Sequence, residues 1–90
     1  MEKVSRRLTA EEIEREVIRI IAGKVDMEPA QVTRDRAFMN DLPMDSLDRI
    51  EIIMDLEERF DLNIEEEEAD RIKTVGEAID HIVAKTAQEP

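Results

Sequence analysis

The sequence predicts an all-α fold, a small bundle of three main helices and one short helix. Three stretches repeat apolar residues at three- and four-residue steps, which is the spacing of one helix face. Two of these stretches open with Thr, and Glu follows three residues later in the pattern of a capping box. Ninety residues suffice for one small domain with a buried core, so we expect a single domain over residues 1–90.

The first helix is predicted to begin after Thr9 and to end near residues 23–25. Thr9 and Glu12 have the capping-box spacing, and Leu8 is placed to pack against Ile13 as a hydrophobic staple. Apolar residues then recur at helical spacing and should face the core. This inward stripe consists of Ile13, Val17, Ile20 and Ile21.

Residues 26–44 are predicted to form a long connection, with a short turn beginning at Pro29. Connections of this length inside a compact domain are usually functional. Pro43 fixes its own φ and biases Leu42 towards extended geometry, so the end of the connection enters the next helix in a defined way. Three apolar residues are spaced as separate anchors into the core: Val32, Phe38 and Leu42.

The second helix is predicted over Ser46–Phe60, with Asp45 as its N-cap and the Ser46 hydroxyl towards solvent. Its apolar side is predicted to comprise Leu47, Ile50, Ile53, Met54, Leu56 and Phe60. Another face carries Asp48, Glu51, Asp55 and Glu58 at three- and four-residue steps. Like charges at this spacing mildly destabilise an isolated helix, so the face should serve something other than helix stability.

The remaining elements are a turn, a short helix and a final helix. Residues 61–64 form the turn, and the acidic run at residues 65–68 begins a short helix that reaches about Ile72. Thr74 and Glu77 repeat the capping-box spacing at the start of the last helix. Its inward stripe consists of Val75, Ala78, Ile79, Ile82 and Val83. His81 lies beside this stripe, where a packing role is expected.

The acidic charge is concentrated in the middle of the chain. The net charge is −11, and residues 45–70 hold twelve acidic residues against Arg49 and Arg59. Such a field repels nucleic acid and attracts basic protein surfaces. No run approaches the roughly 20 apolar residues of a membrane span. We therefore expect a soluble, cytoplasmic monomer, with frayed tails at residues 1–8 and 86–90.

Ser46 is the residue at which we expect the chemistry to occur. A catalytic serine needs a base and oxyanion donors. His81 is the only histidine of the chain, there is no cysteine, and the sequence around Ser46 lacks the G-x-S-x-G motif of serine hydrolases. Ser46 should therefore be modified rather than act as a catalyst. No metal site is predicted either. Residues 61–72 begin like a calcium loop, but Glu66 replaces the required Gly and Ile72 the final Glu.

The sequence DLPMDSLD at residues 41–48, together with the helix that follows, resembles that of the acyl carrier proteins. The resemblance runs from about Ile13 to Ile82, nearly the whole chain. The other matching residues are Val32, Thr33, Phe38, Glu51, Met54, residues 56–60, Ile64, Ala69, Ile72, Thr74, Val75, Ala78, Ile79 and Asp80. In that family the matching serine carries 4'-phosphopantetheine, so the resemblance implies this covalent cofactor on Ser46. The plain alternative is that Ser46 merely helps to start a helix.

The resemblance also implies a partner face and an acyl pocket. In the family this helix docks onto basic surfaces of a phosphopantetheinyl transferase and of acyl-transferring and fatty-acid synthesis enzymes. The matching recognition positions are Asp45, Leu47, Asp48, Glu51, Met54, Glu57 and Glu58. Counterparts of the pocket lining are Phe38, Leu42, Ile50, Leu56, Phe60, Ile64, Ala69, Ile72, Ala78 and Ile79. Without the resemblance, these sets are simply a solvated face and a core.

The predicted function is an acyl carrier protein, not an enzyme, that carries growing acyl chains as thioesters between fatty-acid synthesis enzymes. Three residues depart from the family pattern. Pro43 stands where Gly is usual, Met44 where a small residue is common, and Arg49 adds a positive charge to the acidic helix. One alternative is a carrier for polyketide, lipid A or another specialised acyl pathway. Another is an acidic protein-binding module without a prosthetic group.

Overall fold

A computed structural model describes residues 8–87 and confirms the all-α prediction for them. The four α-helices are α1 (Ala10–Val25), α2 (Ser46–Phe60), α3 (Glu66–Arg71) and α4 (Val75–Ala87), and a 3-10 turn covers Pro29–Gln31. Residues 1–7 and 88–90 lie outside the described range, and so does most of what we predicted for the two tails.

The capping box predicted for α1 is confirmed. The Thr9 N–H donates to Glu12 Oε1 at 2.8 Å, and the Glu12 N–H donates to Thr9 Oγ1 at 3.1 Å. Leu8 packs against the core, as a hydrophobic staple requires, and is therefore not part of a frayed tail. Asp26 ends the helix in the left-handed conformation with a φ of 60°, which aspartate tolerates better than most residues.

The inward stripe of α1 is confirmed at three of its four positions. Ile13, Val17 and Ile21 are buried, whereas Ile20 is only partly buried at the edge of the core. Ala22 also faces inward, because it extends the same face towards the end of the helix.

The long connection before α2 is anchored rather than loose. Its three predicted anchors, Val32, Phe38 and Leu42, are all buried. The backbone is also tied to the segment before α4. The Phe38 N–H donates to the Lys73 carbonyl at 2.9 Å, and the Val75 N–H donates to the Arg36 carbonyl at 3.0 Å. The connection therefore holds a fixed path to the start of α2.

The apolar side predicted for α2 is wrong in part. Leu47, Ile50 and Met54 are 61%, 52% and 58% exposed, whereas Ile52 and Leu56 are buried. Successive helical residues are about 100° apart around the axis, so burial of Ile52 and Leu56 turns the other three residues outward. Both sets have helical spacing, and the prediction merged them into one apolar side, assigned Ile50 to the core and missed Ile52. Ile53 and Phe60 pack at the edge of the core, as expected for the flanks of the buried face.

Contacts at its ends hold α3, which has only six residues. Its N-terminal backbone is capped by Glu68 Oε1, which accepts from the Glu65 N–H at 2.9 Å. Lys85 of α4 pairs with the same carboxylate at 3.1 Å. The backbone hydrogen bond at Glu65 and then the Lys85 contact lower the pKa of Glu68. Burial of Ala69 and Ile72 attaches the helix to the core.

The helix α4 begins and packs as predicted. The Glu77 N–H donates to Thr74 Oγ1 at 3.1 Å, and the Thr74 N–H donates to Glu77 Oε1 at 3.2 Å. Of the predicted stripe, Val75, Ala78, Ile79 and Ile82 are buried and Val83 is partly buried. The helix continues through Ala87, so the prediction that residues 86–87 belong to a tail is wrong.

The orientation of α2 predicts different effects for two isoleucines two positions apart. Ile52→Ala should lower the free energy of unfolding by about 2–5 kcal/mol, because a buried side chain leaves a cavity. Ile50→Ala should change it by no more than about 0.5 kcal/mol, as for other surface substitutions. Urea unfolding of both variants and the wild type measures this difference. Equal losses, or a larger loss for Ile50→Ala, would contradict this rotation of α2.

Candidate functional site

Ser46 is the first residue of α2, and a reciprocal cap fixes its position. The Asp48 N–H donates to Asp45 Oδ1 at 3.0 Å, and the Asp45 N–H donates to Asp48 Oδ2 at 3.3 Å. Ser46 is exposed, and its hydroxyl forms no hydrogen bond with residues 8–87. Asp48, at the third helical position, completes the cap. The Ser46 hydroxyl is therefore free to receive a covalent group.

The segment that leads to Ser46 is held at several points. The Ala37 N–H donates to the Asp41 carboxylate at 2.8 Å, and the Asp41 N–H returns a bond to the Ala37 carbonyl at 2.9 Å. Across Pro43, the Met44 N–H donates to the Leu42 carbonyl at 2.9 Å. The Met44 side chain packs against the core. The bulky residue at this position is therefore accommodated inward rather than over the serine.

Among residues 8–87, no side chain is placed as a general base on the Ser46 hydroxyl. A base must lie within hydrogen-bond reach of the proton that it removes, and no described side chain bonds to this hydroxyl. His81 instead faces α3, where its Nε2 lies 3.6 Å from Glu68 Oε1. This histidine nitrogen is buried and has no hydrogen-bond partner among the described residues.

The acidic face of α2 carries an internal counter-ion that the sequence analysis missed. Lys24 Nζ of α1 lies 3.1 Å from Glu51 Oε1 and 3.9 Å from Asp55 Oδ2. The hydrogen bond to Glu51 raises the pKa of Lys24. Because these residues are far apart in sequence, only the packing of α1 against α2 reveals the pair. The acidic face thus has a lower effective charge near its centre than its composition indicates.

Two other charged residues of α2 are engaged within the fold. Glu57 Oε2 accepts from the Ile64 N–H at 2.8 Å, so this carboxylate supports the turn before α3. Arg59 pairs with Glu16 of α1 at 3.2 Å and therefore lies beside α1. Glu58, by contrast, is exposed and forms no ion pair with residues 8–87. It is the predicted recognition residue whose charge is most available.

The exposed apolar residues of α2 form a strip next to the acidic face. Leu47, Ile50 and Met54 follow one another at three- and four-residue steps, so they share one side of the helix. The strip begins immediately after Ser46. Partner recognition was predicted for Leu47 and Met54, and their exposure fits that role. Ile50 was predicted to line an acyl pocket, and its exposure contradicts that assignment in this conformation.

The other predicted pocket residues form the core itself. They belong to one buried cluster, against which Phe60 packs. The buried members are Phe38, Leu42, Leu56, Ile64, Ala69, Ile72, Ala78 and Ile79.

A surface groove of about 410 Å³ adjoins this cluster between α2 and the end of α3. Its lining residues are Phe38, Met39, Arg49, Asp70, Ile72 and Lys73. The groove connects the surface near the first turns of α2 with the edge of the core.

Residues 15–82 match the family model described as "Phosphopantetheine attachment site". Acyl carrier proteins match the chain at 45% identity over 71 residues. The chain belongs to the acyl carrier protein family. Proteins of this family are carriers and not catalysts, and the matched domain is the one to which phosphopantetheine is attached. Ser46 lies within the match and, as an exposed and unbonded hydroxyl, suits such a group. Among residues 8–87, no helix combines the length and apolar content that crossing a membrane requires.

Individual acyl carrier proteins match over most of their length. Those of two Porphyromonas gingivalis strains, ATCC 33277 and W83, are each 45% identical over 71 residues, covering 79% of this chain and 91% of theirs. The solved acyl carrier protein of Enterococcus faecalis is 39% identical with a TM-score of 0.73, covering 86% of this chain and 98% of that one. The likeness therefore includes both fold and sequence.

Proposed function

We propose that Ser46 carries the 4'-phosphopantetheine group and that the chain delivers acyl thioesters to fatty-acid synthesis enzymes in the cytoplasm. The observation that supports this most directly is the unbonded Ser46 hydroxyl at the capped start of α2, inside the region matched by the family. The group supplies a terminal thiol, which a chain without cysteine cannot provide. The chain is then a substrate of its partner enzymes rather than a catalyst.

The start of α2 has two opposing effects on an anionic phosphodiester at Ser46. Free N–H groups and the helix dipole make a helix N-terminus electropositive, whereas the Asp45 and Asp48 carboxylates on either side of Ser46 repel a further negative charge. The Asp45 and Asp48 cap fixes this turn, so the backbone of Ser46 is held in one position. In the proposed reaction a phosphopantetheinyl transferase joins Ser46 Oγ to the phosphate of the group, the hydroxyl proton is lost, and the nucleotide part of coenzyme A leaves.

The surface that follows Ser46 is suited to transient docking. We propose that Asp45, Leu47, Asp48, Glu51, Met54 and Glu58 meet a partner that has an apolar centre and a basic rim. Glu57 takes part less than predicted, because its carboxylate is bonded to the Ile64 N–H. Exposed ion pairs contribute only about 0–1 kcal/mol each, so such complexes should form and dissociate rapidly.

A carrier for a specialised acyl pathway is the second candidate. Pro43 favours it, because its fixed φ makes the approach to Ser46 stiffer than the family pattern. The buried aliphatic core next to Phe38 and Ile72 is the proposed shelter for an acyl chain in either pathway.

Attachment is tested with coenzyme A and a broad-specificity phosphopantetheinyl transferase, and intact mass is measured. We expect one phosphopantetheine on the wild type, one on Ser5→Ala and none on Ser46→Ala. Ser5→Ala is the matched control, because Ser5 is the only other serine. Modification of Ser46→Ala would place the site elsewhere. An unmodified wild type, next to a control carrier that is modified, would favour the binding module without a prosthetic group.

The docking surface predicts a salt-dependent effect at Glu58. Glu58→Gln should raise the KM for the transferase up to about fivefold at low salt, since an exposed ion pair contributes about 0.2–1 kcal/mol. High salt should reduce the effect through screening. Glu67→Gln is the control, because it removes the same charge from an exposed position on α3. Equal effects of both substitutions would indicate net charge alone and contradict a docking face on α2.

The pathway is tested by offering the loaded chain to purified enzymes. We expect a malonyl transferase and a condensing enzyme of fatty-acid synthesis to accept it, because the acidic face and apolar strip are general docking features. Acyl transfer is followed by intact mass, and Pro43→Gly tests whether the approach loop limits the rate. Exchange confined to one specialised transferase would overturn the fatty-acid assignment.

A further inference from the structure

Arg49 links the first turns of α2 to the last turn of α3. Its Nη2 donates to the Ala69 carbonyl and lies 4.0 Å from Asp70 Oδ1. The Arg49 side chain is only 26% exposed, so it is held along the surface between the two helices. This contact also forms one wall of the groove between Phe38 and Ile72.

Few polar contacts hold α3 within the described residues. One set runs to α4 through Glu68, which faces His81 and pairs with Lys85. The other runs to α2 through Arg49 alone. A helix of six residues has little stability of its own, so its position depends on such contacts and on burial of Ala69. Loss of the Arg49 contact would therefore weaken the junction of α2 and α3 selectively.

Arg49 is also placed next to Ser46. Residues three apart on a helix are neighbours, with Cβ atoms about 5–6 Å apart. A phosphodiester on Ser46 would bring a negative charge beside this guanidinium, which otherwise donates to the Ala69 carbonyl and lies 4.0 Å from the exposed Asp70 carboxylate. The bond from the guanidinium to the carbonyl is already charge-assisted, and an anionic acceptor adds Coulombic attraction to it. The loaded serine would thus compete with Ala69 for the same side chain.

We propose that Arg49 is a positioning residue with two alternative acceptors, the Ala69 carbonyl before Ser46 is loaded and the phosphodiester afterwards. Loading then releases α3 from α2 and loosens the groove that adjoins the core. This inference rests on the proposed attachment at Ser46. It concerns a residue that departs from the family pattern, so it is a feature of this chain.

Hydrogen exchange of the amides at residues 66–72 tests the proposal. Four samples are compared, namely wild type and Arg49→Met, each without and with phosphopantetheine. Loading should speed exchange in the wild type about two- to tenfold, the range for loss of one hydrogen bond. Unloaded Arg49→Met should already exchange at the faster rate, and loading it should add nothing. Arg19→Met is the control, since Arg19 is exposed on α1 and forms no ion pair with residues 8–87.

The possible outcomes separate this inference from the attachment at Ser46. Unloaded Arg49→Met that exchanges like the wild type would overturn the link, whether or not any transferase acts on the chain. If loading speeds amide exchange equally in the wild type and in Arg49→Met, the phosphodiester and the Ala69 carbonyl do not compete for Arg49. The phosphorus chemical shift of the loaded chain provides a second measurement. It should differ between the wild type and Arg49→Met but not between the wild type and Arg19→Met, and an unchanged shift would contradict contact with the phosphodiester.

Discussion

Burial of Ile52 and Leu56 is the constraint on which the arrangement of the site depends. These side chains fix the rotation of α2 about its own axis, and one rotation decides the direction of every other residue on the helix. Acidic residues then lie towards α1 and solvent, and the strip that contains Leu47 and Met54 lies exposed beside them. The features that a partner would recognise are therefore consequences of core packing.

The connection before α2 determines where Ser46 is presented. Ordering a long loop costs conformational entropy, and here buried anchors such as Phe38 and Leu42 offset that cost. The same loop contributes Phe38 and Met39 to the groove beside α3. One segment thus positions the serine and builds part of the surface next to it, so changes in the loop can affect attachment and cargo together.

Local signals allowed most of the fold to be predicted from the sequence. The caps at Thr9 and Thr74 depend on residues only three positions apart, and a pattern of that length can be read directly. The face of α2 could not be assigned in this way, because two apolar sets with the same spacing compete for the core. Ile50 was misassigned for that reason. We propose that partner recognition keeps these apolar residues exposed, and sequence periodicity alone does not distinguish them from core residues.

At the site, the sequence indicated which residues matter but not how they are engaged. The contacts of Lys24 with Glu51 and of Arg49 with Ala69 join residues that are 27 and 20 positions apart, and only the packed helices bring them together. The proposed carrier function requires that Ser46 carries phosphopantetheine in the cell. The most direct test isolates the chain from its native organism and measures its tryptic peptides by mass spectrometry. Residues 37–49 form one such peptide, with Ser46 as its only serine. We expect phosphopantetheine on this peptide, and its presence on a different peptide, or on none, would contradict attachment at Ser46.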